Sequence, residues 1–127
     1  MVSAPLACCG ILGLTGVIAG AVGSHALKSR TEEERTNFLI GAQYQLMHSM
    51  AALAALAFSQ VVAKTNATAA RRLHIAACMF LVGTTLFSGT IYARTFGASK
   101  AIRRLAPLGG YIMMGGWGFV VAAAAVL

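Results

Sequence analysis

The sequence predicts an all-α fold, an integral membrane four-helix antiparallel bundle that forms one domain over residues 1–127. The 127 residues are 58% hydrophobic and only 10% charged, whereas a soluble domain is about one quarter charged. Four stretches contain no Asp, Glu, Lys or Arg, and each reaches the roughly 20 residues that a helix needs to cross a bilayer. These stretches are residues 1–27, 36–63, 73–93 and 105–127. With their flanks, the expected helices cover about residues 5–27, 31–63, 68–95 and 105–127.

The first predicted helix has one face without side chains. Its glycines recur every three, four and three residues and therefore lie on one side of the helix: Gly13, Gly16, Gly20 and Gly23. Helices in lipid gain little from apolar burial and associate by close packing at small residues. We therefore expect this face to contact another helix.

The second predicted helix begins in a polar connection. Thr31 is followed three residues later by Glu34, which is the spacing of a capping box. Three consecutive glutamates in this first turn suit the positive end of the helix dipole. We expect the helix to start near Thr31, before it enters the membrane.

Polar residues then form a stripe along the second helix. They recur at steps of three to four residues, with Tyr44 beside them: Asn37, Gly41, Gln45 and His48. Polar groups in lipid face a partner helix or a wet cavity, and an unpaired one in a dry interior costs several kcal/mol. We therefore expect the stripe to face the bundle interior, with His48 neutral and hydrogen-bonded and Gln45 on the same face.

The third and fourth predicted helices carry hydroxyls and glycines. Ser88 belongs to a group of Ser and Thr side chains that can bond a neighbouring helix, and Tyr92 lies near the helix exit, a common interfacial position for Tyr. Pro107 fits the first turn of the last helix, where it removes no hydrogen bond. Gly109 and Gly116 are seven residues apart and share a face, so we expect them to be helix-packing positions.

The net charge of +7 does not indicate nucleic-acid binding, because every Lys and Arg lies in a connection or at its edge. Basic connections are what membrane topology and anionic head groups favour. The first and third connections share one side of the membrane and contain Lys28, Arg30, Arg35, Arg94, Lys100, Arg103 and Arg104. The second connection contains Lys64, Arg71 and Arg72. We therefore predict that both termini are outside and that the two more basic connections are inside.

Four segments together resemble one known family. They are "GAVGSHALKS", "YQLMHSMAAL", "GTTLFSGTIY" and "LAPLGGYIMMGGW", and they resemble the DUF423 family, which includes the eukaryotic transmembrane protein 256. The resemblance implies a four-helix membrane protein, carries over no activity, and implies a mitochondrial location from the eukaryotic members. The recurrent positions of the family fall on Gly23, His25, Tyr44, His48, Ser88, Gly89, Pro107, Gly109, Gly110 and Trp117.

The residues do not form a set typical of catalysis, cofactor binding or metal binding. No carboxylate lies within a predicted span, and neither a Ser-His-Asp set nor a metal-ligand spacing is present. His25 and His48 could suggest two haem ligands, but at about 1.5 Å per residue they differ in depth by roughly 10–15 Å. We expect no catalytic, cofactor or metal site. The expected buried polar residues are His25, Tyr44, Gln45, His48 and Ser88.

The expected function is structural. A small and nearly uncharged bundle with glycine faces suits a non-catalytic accessory subunit of a larger complex, which the resemblance would place in the mitochondrial inner membrane, for example in a respiratory complex. The expected partners are membrane lipids and other membrane protein subunits, not nucleic acid. The alternative is a carrier or pore for a lipid or small molecule, with a polar cavity lined by the second helix.

Overall fold

The computed structural model describes residues 3–127, and it contains four helices that are long and apolar enough to cross a membrane. The helices are α1 (Ala4–Ala21), α2 (Glu32–Val62), α3 (Ala67–Thr95) and α4 (Leu105–Ala124). A π-helical turn, Val22–Ala26, extends α1, and a 3-10 turn, Lys100–Arg104, precedes α4. The predicted all-α four-helix membrane fold is confirmed.

Local polar contacts fix where α2 and α3 begin. The predicted capping box is present, since Thr31 Oγ1 accepts from the Glu34 backbone N–H at 3.2 Å and Glu34 Oε2 accepts from the Thr31 N–H at 3.1 Å. Asn66 caps α3 by accepting from the Ala69 N–H at 2.9 Å. Each contact satisfies an N–H group that has no partner within its own helix.

The same end of α3 also closes the end of α4. The Asn66 side-chain amide donates to the carbonyl of Val126, and the Arg72 guanidinium donates to the carbonyl of Ala122. Ala122 belongs to the last turn of α4, whose carbonyls lack intrahelical partners and carry partial negative charge, so a cation suits it. These two contacts hold the C-terminal end of α4 against the start of α3.

The four helices pack mainly in chain order. α2 and α3 pack along each other, α1 packs mainly on α2, and α4 packs mainly on α3. α1 touches α3 only lightly. The outer helices are correspondingly less covered. In the most apolar 18-residue stretch of each helix, 22% of α1 and 17% of α4 is buried, against 44% for α2 and for α3.

Small residues bring the helices of the core together. The largest buried cluster joins α1, α2 and α3 and consists of Cys9, Ala52, Ala55, Ala76, Ala77, Phe80 and Leu81. Alanine keeps the backbones close and places many atoms in van der Waals contact, which is the main attraction between helices in lipid. Phe80 is the largest fully buried side chain and fills the space that the alanines leave.

The closest helix contact lies between α3 and α4. A Cβ on Gly83 would lie only 2.7 Å from the carbonyl oxygen of Gly109 and 2.9 Å from the backbone N of Met113. Gly116 lies farther along this interface, where a Cβ would meet the Phe80 ring at 2.7 Å. Gly109 and Gly116 thus lie in the interface, and Gly83 is a reciprocal partner that the sequence analysis did not single out.

The glycine face of α1 contacts α2 at only part of its length. A Cβ on Gly16 would lie 2.9 Å from Leu46 Cδ2, and one on Gly23 would lie 2.7 Å from Leu39 Cδ2. A Cβ on Gly13 would make an ordinary contact at 3.9 Å with the Ser49 hydroxyl.

Gly20 corrects the expectation that all four glycines contact a helix, because a Cβ there would have open space. At about 100° per residue, Gly13 and Gly20 lie roughly 60° and 40° to the same side of Gly16. The face that contacts α2 is therefore narrower than the glycine pattern.

The α3–α4 contact leads to a first prediction. Gly109→Ala should lower the free energy of unfolding by about 1–3 kcal/mol, because the added methyl meets backbone atoms that cannot move aside. The adjacent Gly110→Ala is the matched control, since a Cβ at Gly110 has nothing within 4 Å. Both variants are unfolded by SDS titration in bicelles. Equal stabilities for the two would contradict the contact.

Candidate functional site

The side-chain amide of Gln45 connects three helices. Gln45 is 3% exposed, and its Nε2 donates to the α1 backbone carbonyl of Leu12 at 2.9 Å and to the Thr15 hydroxyl at 2.7 Å. Its Oε1 accepts from the Tyr92 hydroxyl of α3 at 2.7 Å. Both ends of the amide are therefore satisfied inside the protein.

The partners of Gln45 determine the orientation of its amide. The Leu12 carbonyl can only accept, so it must face Nε2. The Thr15 hydroxyl donates back to the carbonyl of Ile11 at 2.8 Å, which leaves its lone pairs free to accept from Gln45. The Tyr92 hydroxyl then donates to the remaining oxygen. This set of contacts fixes the rotation of α1 and α3 relative to α2.

A second interhelical contact lies one turn away along α2. The Ser88 hydroxyl, 2% exposed, donates to the backbone carbonyl of Gly41 at 2.7 Å. A Cβ on Gly41 would approach the Tyr92 ring at 3.2 Å and Ile91 at 3.4 Å, so glycine permits this close approach. The Tyr92 ring also packs on Phe38, with the centroids 4.6 Å apart.

His48 joins α2 to α4. Its Nδ1 lies 2.9 Å from the backbone carbonyl of Tyr44, and its Nε2 lies 3.3 Å from Trp117 Nε1. An indole N–H only donates and a carbonyl only accepts. Nε2 therefore accepts from Trp117 while Nδ1 carries the proton and donates to Tyr44. His48 is thus a neutral imidazole whose two nitrogens are both satisfied.

Aromatic rings enclose His48. Trp117 lies edge-on to the imidazole at 6.1 Å, Phe80 packs against it at 5.6 Å, and the Tyr44 ring stacks on it at 5.6 Å. Phe80 and Trp117 also contact each other at 4.8 Å. His48 itself is 4% exposed, so the cluster excludes bulk solvent from both ring nitrogens.

The structure places Gln45, His48 and Ser88 in the interior, whereas Tyr44 and His25 are corrections to the expected buried set. Tyr44 is 40% exposed, because it lies about 100° around α2 from the buried Gln45. Its ring stacks on the outer side of His48. His25 is exposed in the π-helical turn. It follows Gly23, which faces α2, by about half a turn and therefore points away.

Three participants in these networks were not foreseen. Thr15 and Trp117 supply partners for Gln45 and His48, and Tyr92, expected at the membrane interface, turns inward to Gln45. The sequence offered one general indication of the roles of Tyr92 and Trp117: a buried Tyr hydroxyl or indole N–H needs a hydrogen-bond partner. Within residues 3–127, no three His, Cys, Asp or Glu side chains form a group that could hold a metal ion.

Four apolar helices with satisfied polar groups between them define a small integral membrane protein. The chain belongs to the family described as protein of unknown function (DUF423), whose model matches residues 19–110. The resemblance found in the sequence is thereby confirmed. Gln45, His48, Ser88 and Tyr92 all lie inside the matched range, and Trp117 lies beyond it.

The relatives of this chain are also described as membrane proteins. A UPF0382 membrane protein of Haemophilus influenzae is 33% identical over 106 residues, which cover 83% of this chain and 80% of that protein. A UPF0382 membrane protein of Schizosaccharomyces pombe is 29% identical over 114 residues, which cover 84% of this chain and 89% of that protein. No solved structure matches the chain.

The contacts of Gln45 lead to a second prediction. Gln45→Leu should lower the free energy of unfolding in bicelles by about 1–2 kcal/mol, because it removes three hydrogen bonds and leaves the Tyr92 hydroxyl unpaired. Gln43→Leu on the exposed side of α2 is the control and should be neutral or slightly stabilising. If the two variants are equally stable, the Gln45 network does not hold the helices together.

The contacts of His48 lead to a third prediction. In ring ¹⁵N NMR spectra of the protein in bicelles, His48 should appear as the Nδ1–H tautomer, with exposed His25 and His74 as internal references. Trp117→Phe should shift the His48 Nε2 resonance, because the ring remains but the indole donor is lost. A wild-type His48 that carries its proton on Nε2 would contradict the assigned contacts.

Proposed function

We propose that this protein is a non-catalytic subunit that packs against helices of a larger membrane complex. The observation that carries the proposal is a set of glycines whose side-chain positions are open. A Cβ would meet nothing within 4 Å at Gly10 and Gly20 of α1 or at Gly110 and Gly118 of α4. These four lie on the two helices that the rest of the chain covers least, and one further helical glycine with open space, Gly89, lies on α3.

An unpacked glycine in a helix has a cost and no internal benefit. Glycine is about 1 kcal/mol less favourable than alanine in a helix interior, and none of these four gains a close contact within the chain. In lipid, such positions let the backbone of another helix approach closely. On α4, Gly110 and Gly118 flank Met114 at four-residue steps and lie on one outward side with it.

The polar and charged groups also favour a structural role. The chain has three acidic side chains, and all three lie in the first turn of α2, where Glu34 is engaged with Thr31. The buried polar groups of Gln45, His48 and Ser88 are all bonded internally. Recognition by α1 and α4 would therefore depend on packing of small and apolar surfaces.

The location that we propose is the mitochondrial inner membrane, and the larger assembly is a respiratory complex. This part of the proposal depends on the resemblance to eukaryotic members of the family. The relatives in Haemophilus influenzae and Schizosaccharomyces pombe are named only as membrane proteins.

The carrier alternative has one supporting observation. A groove of about 340 Å³ lies beside Gln45, between α1 and α3. It opens sideways between the helices, so it suits a lipid chain better than an ion or a solute that crosses the bilayer.

The subunit proposal leads to a fourth prediction. Gly110→Leu and Gly118→Leu should leave the unfolding free energy of the isolated protein unchanged or raise it by up to about 1 kcal/mol, because space is open at both positions and leucine is a better helix former than glycine. In native gels of digitonin extracts, however, both variants should lose the high-mass band that contains the tagged wild type, since leucine prevents close backbone approach. Val121→Leu, at an already large and exposed side chain, is the matched control.

Two results would contradict the subunit proposal. One is a wild-type protein that migrates alone in native gels. The other is a pair of glycine variants that remain in the high-mass band as well as the Val121→Leu control does.

A further inference from the structure

A groove lies between α1 and α3, which contact each other only lightly, and Phe38 and Gln45 of α2 line part of it. One part holds about 480 Å³ and is lined by apolar side chains such as Ile11, Val82 and Leu86. A second part of about 340 Å³ continues past Thr85 as far as Phe96. The two parts share Leu12 and Thr85, so they adjoin at that level of α1 and α3, and we treat them as one groove.

The groove is somewhat longer than one leaflet of a bilayer is thick. On α1 it extends from Cys8 to Val22, which is about 21 Å at 1.5 Å per residue. Half of a hydrocarbon core of about 30 Å is roughly 15 Å, so one acyl chain in one leaflet would follow most of the groove. A helix of this length and about 10 Å diameter has a volume near 1,600 Å³ and would stand largely outside it.

The groove wall is apolar despite its polar residue types. Gln45 bonds Thr15 and Tyr92, and the Ser88 hydroxyl points to the backbone of α2. The Thr85 hydroxyl donates to a carbonyl of its own helix at 2.8 Å. Because these groups are already paired, the groove presents carbon to its occupant and favours a hydrocarbon chain over a polar solute.

Two arginines lie near one end of the groove, beside the acidic first turn of α2. Phe96 closes this end, and the guanidinium carbon of Arg30 lies 6.0 Å from the centre of its ring. Arg35 lies on the same side of α2 as Phe38, about one turn nearer the helix start, and its buried Nε has no hydrogen-bond partner. Two arginines beside the mouth of an apolar groove complement a phosphate that carries acyl chains.

We propose that this groove binds an anionic phospholipid, with one acyl chain between α1 and α3 and the phosphate at Arg30 and Arg35. The site is complete within a single chain, so it goes beyond the subunit role and does not depend on it. The lipid would fill the space that α1 leaves against α3 and would cover the Gln45 network from the bilayer side.

Native mass spectrometry of the full chain, released from detergent micelles, tests this site with phosphatidylglycerol and phosphatidylcholine as probes. The wild type should retain one phosphatidylglycerol per chain, with an affinity about tenfold or more above that for phosphatidylcholine, because two arginines face the head group. Arg30→Gln should bring the two affinities close together, whereas Arg71→Gln in the second connection should leave the preference unchanged.

A second pair of variants tests the acyl-chain part of the groove. Val82→Trp, which fills the groove, should weaken binding of both lipids by about tenfold or more, since a well-fitted apolar site tolerates little added volume. Val121→Trp on α4 is the control, because Val121 is exposed outside the groove. Thermal unfolding in the same detergent verifies that each variant is folded.

Several results would overturn the proposal. The wild type could bind both lipids equally, which would show that the arginines do not select the head group. This result needs only the wild-type protein. Val82→Trp could bind as well as Val121→Trp, which would place the lipid elsewhere. The mass spectra could instead show a dimer that Val82→Trp dissociates, in which case a second copy of the chain occupies the groove.

Discussion

The amide of Gln45 is the interaction on which the arrangement of three helices depends. In lipid, apolar side chains lose little when they leave one apolar neighbour for another, so apolar surface alone specifies helix rotation weakly. An amide with two donors and an acceptor has strict requirements. Leu12 and Thr15 of α1 and Tyr92 of α3 meet them together in one geometry. The network thus specifies orientation more than it adds stability.

The other contacts extend this specification to α4. His48 of α2 can accept from Trp117 only when α4 is rotated so that the indole points toward α2. The Gly83–Gly109 contact sets how closely α4 approaches α3. A polar contact and a close-packed contact therefore constrain α4 from two sides. The outer surfaces of α1 and α4 remain uncovered by the rest of the chain.

The fold was predictable because composition and run length report directly on the membrane. Charge-free stretches imply spans, and the Thr31–Glu34 spacing located the start of α2 correctly. The polar stripe also identified Gly41, Gln45 and His48 as interior residues, but its first member, Asn37, is exposed near the start of α2. Their partners were not predictable, since Tyr92 and Trp117 lie 47 and 69 residues away in sequence and no periodicity fixes the relative rotation of two helices. The relative rotation of α1 and α2 was also unknown for Gly20. Its spacing matches the other glycines of α1, but α2 contacts Gly16 and Gly23 and leaves Gly20 open.

A double-mutant cycle between Gln45→Leu and Tyr92→Phe tests the central role of the amide most directly. The two single variants and the double variant are unfolded in bicelles, and the coupling free energy is the departure of their effects from additivity. A direct interhelical hydrogen bond predicts a coupling of about 0.6 kcal/mol or more, with about 1.7 kcal/mol as the upper end seen in membranes. Additive effects of the two substitutions would show that Gln45 and Tyr92 do not interact and would remove the link between α2 and α3 on which this arrangement depends.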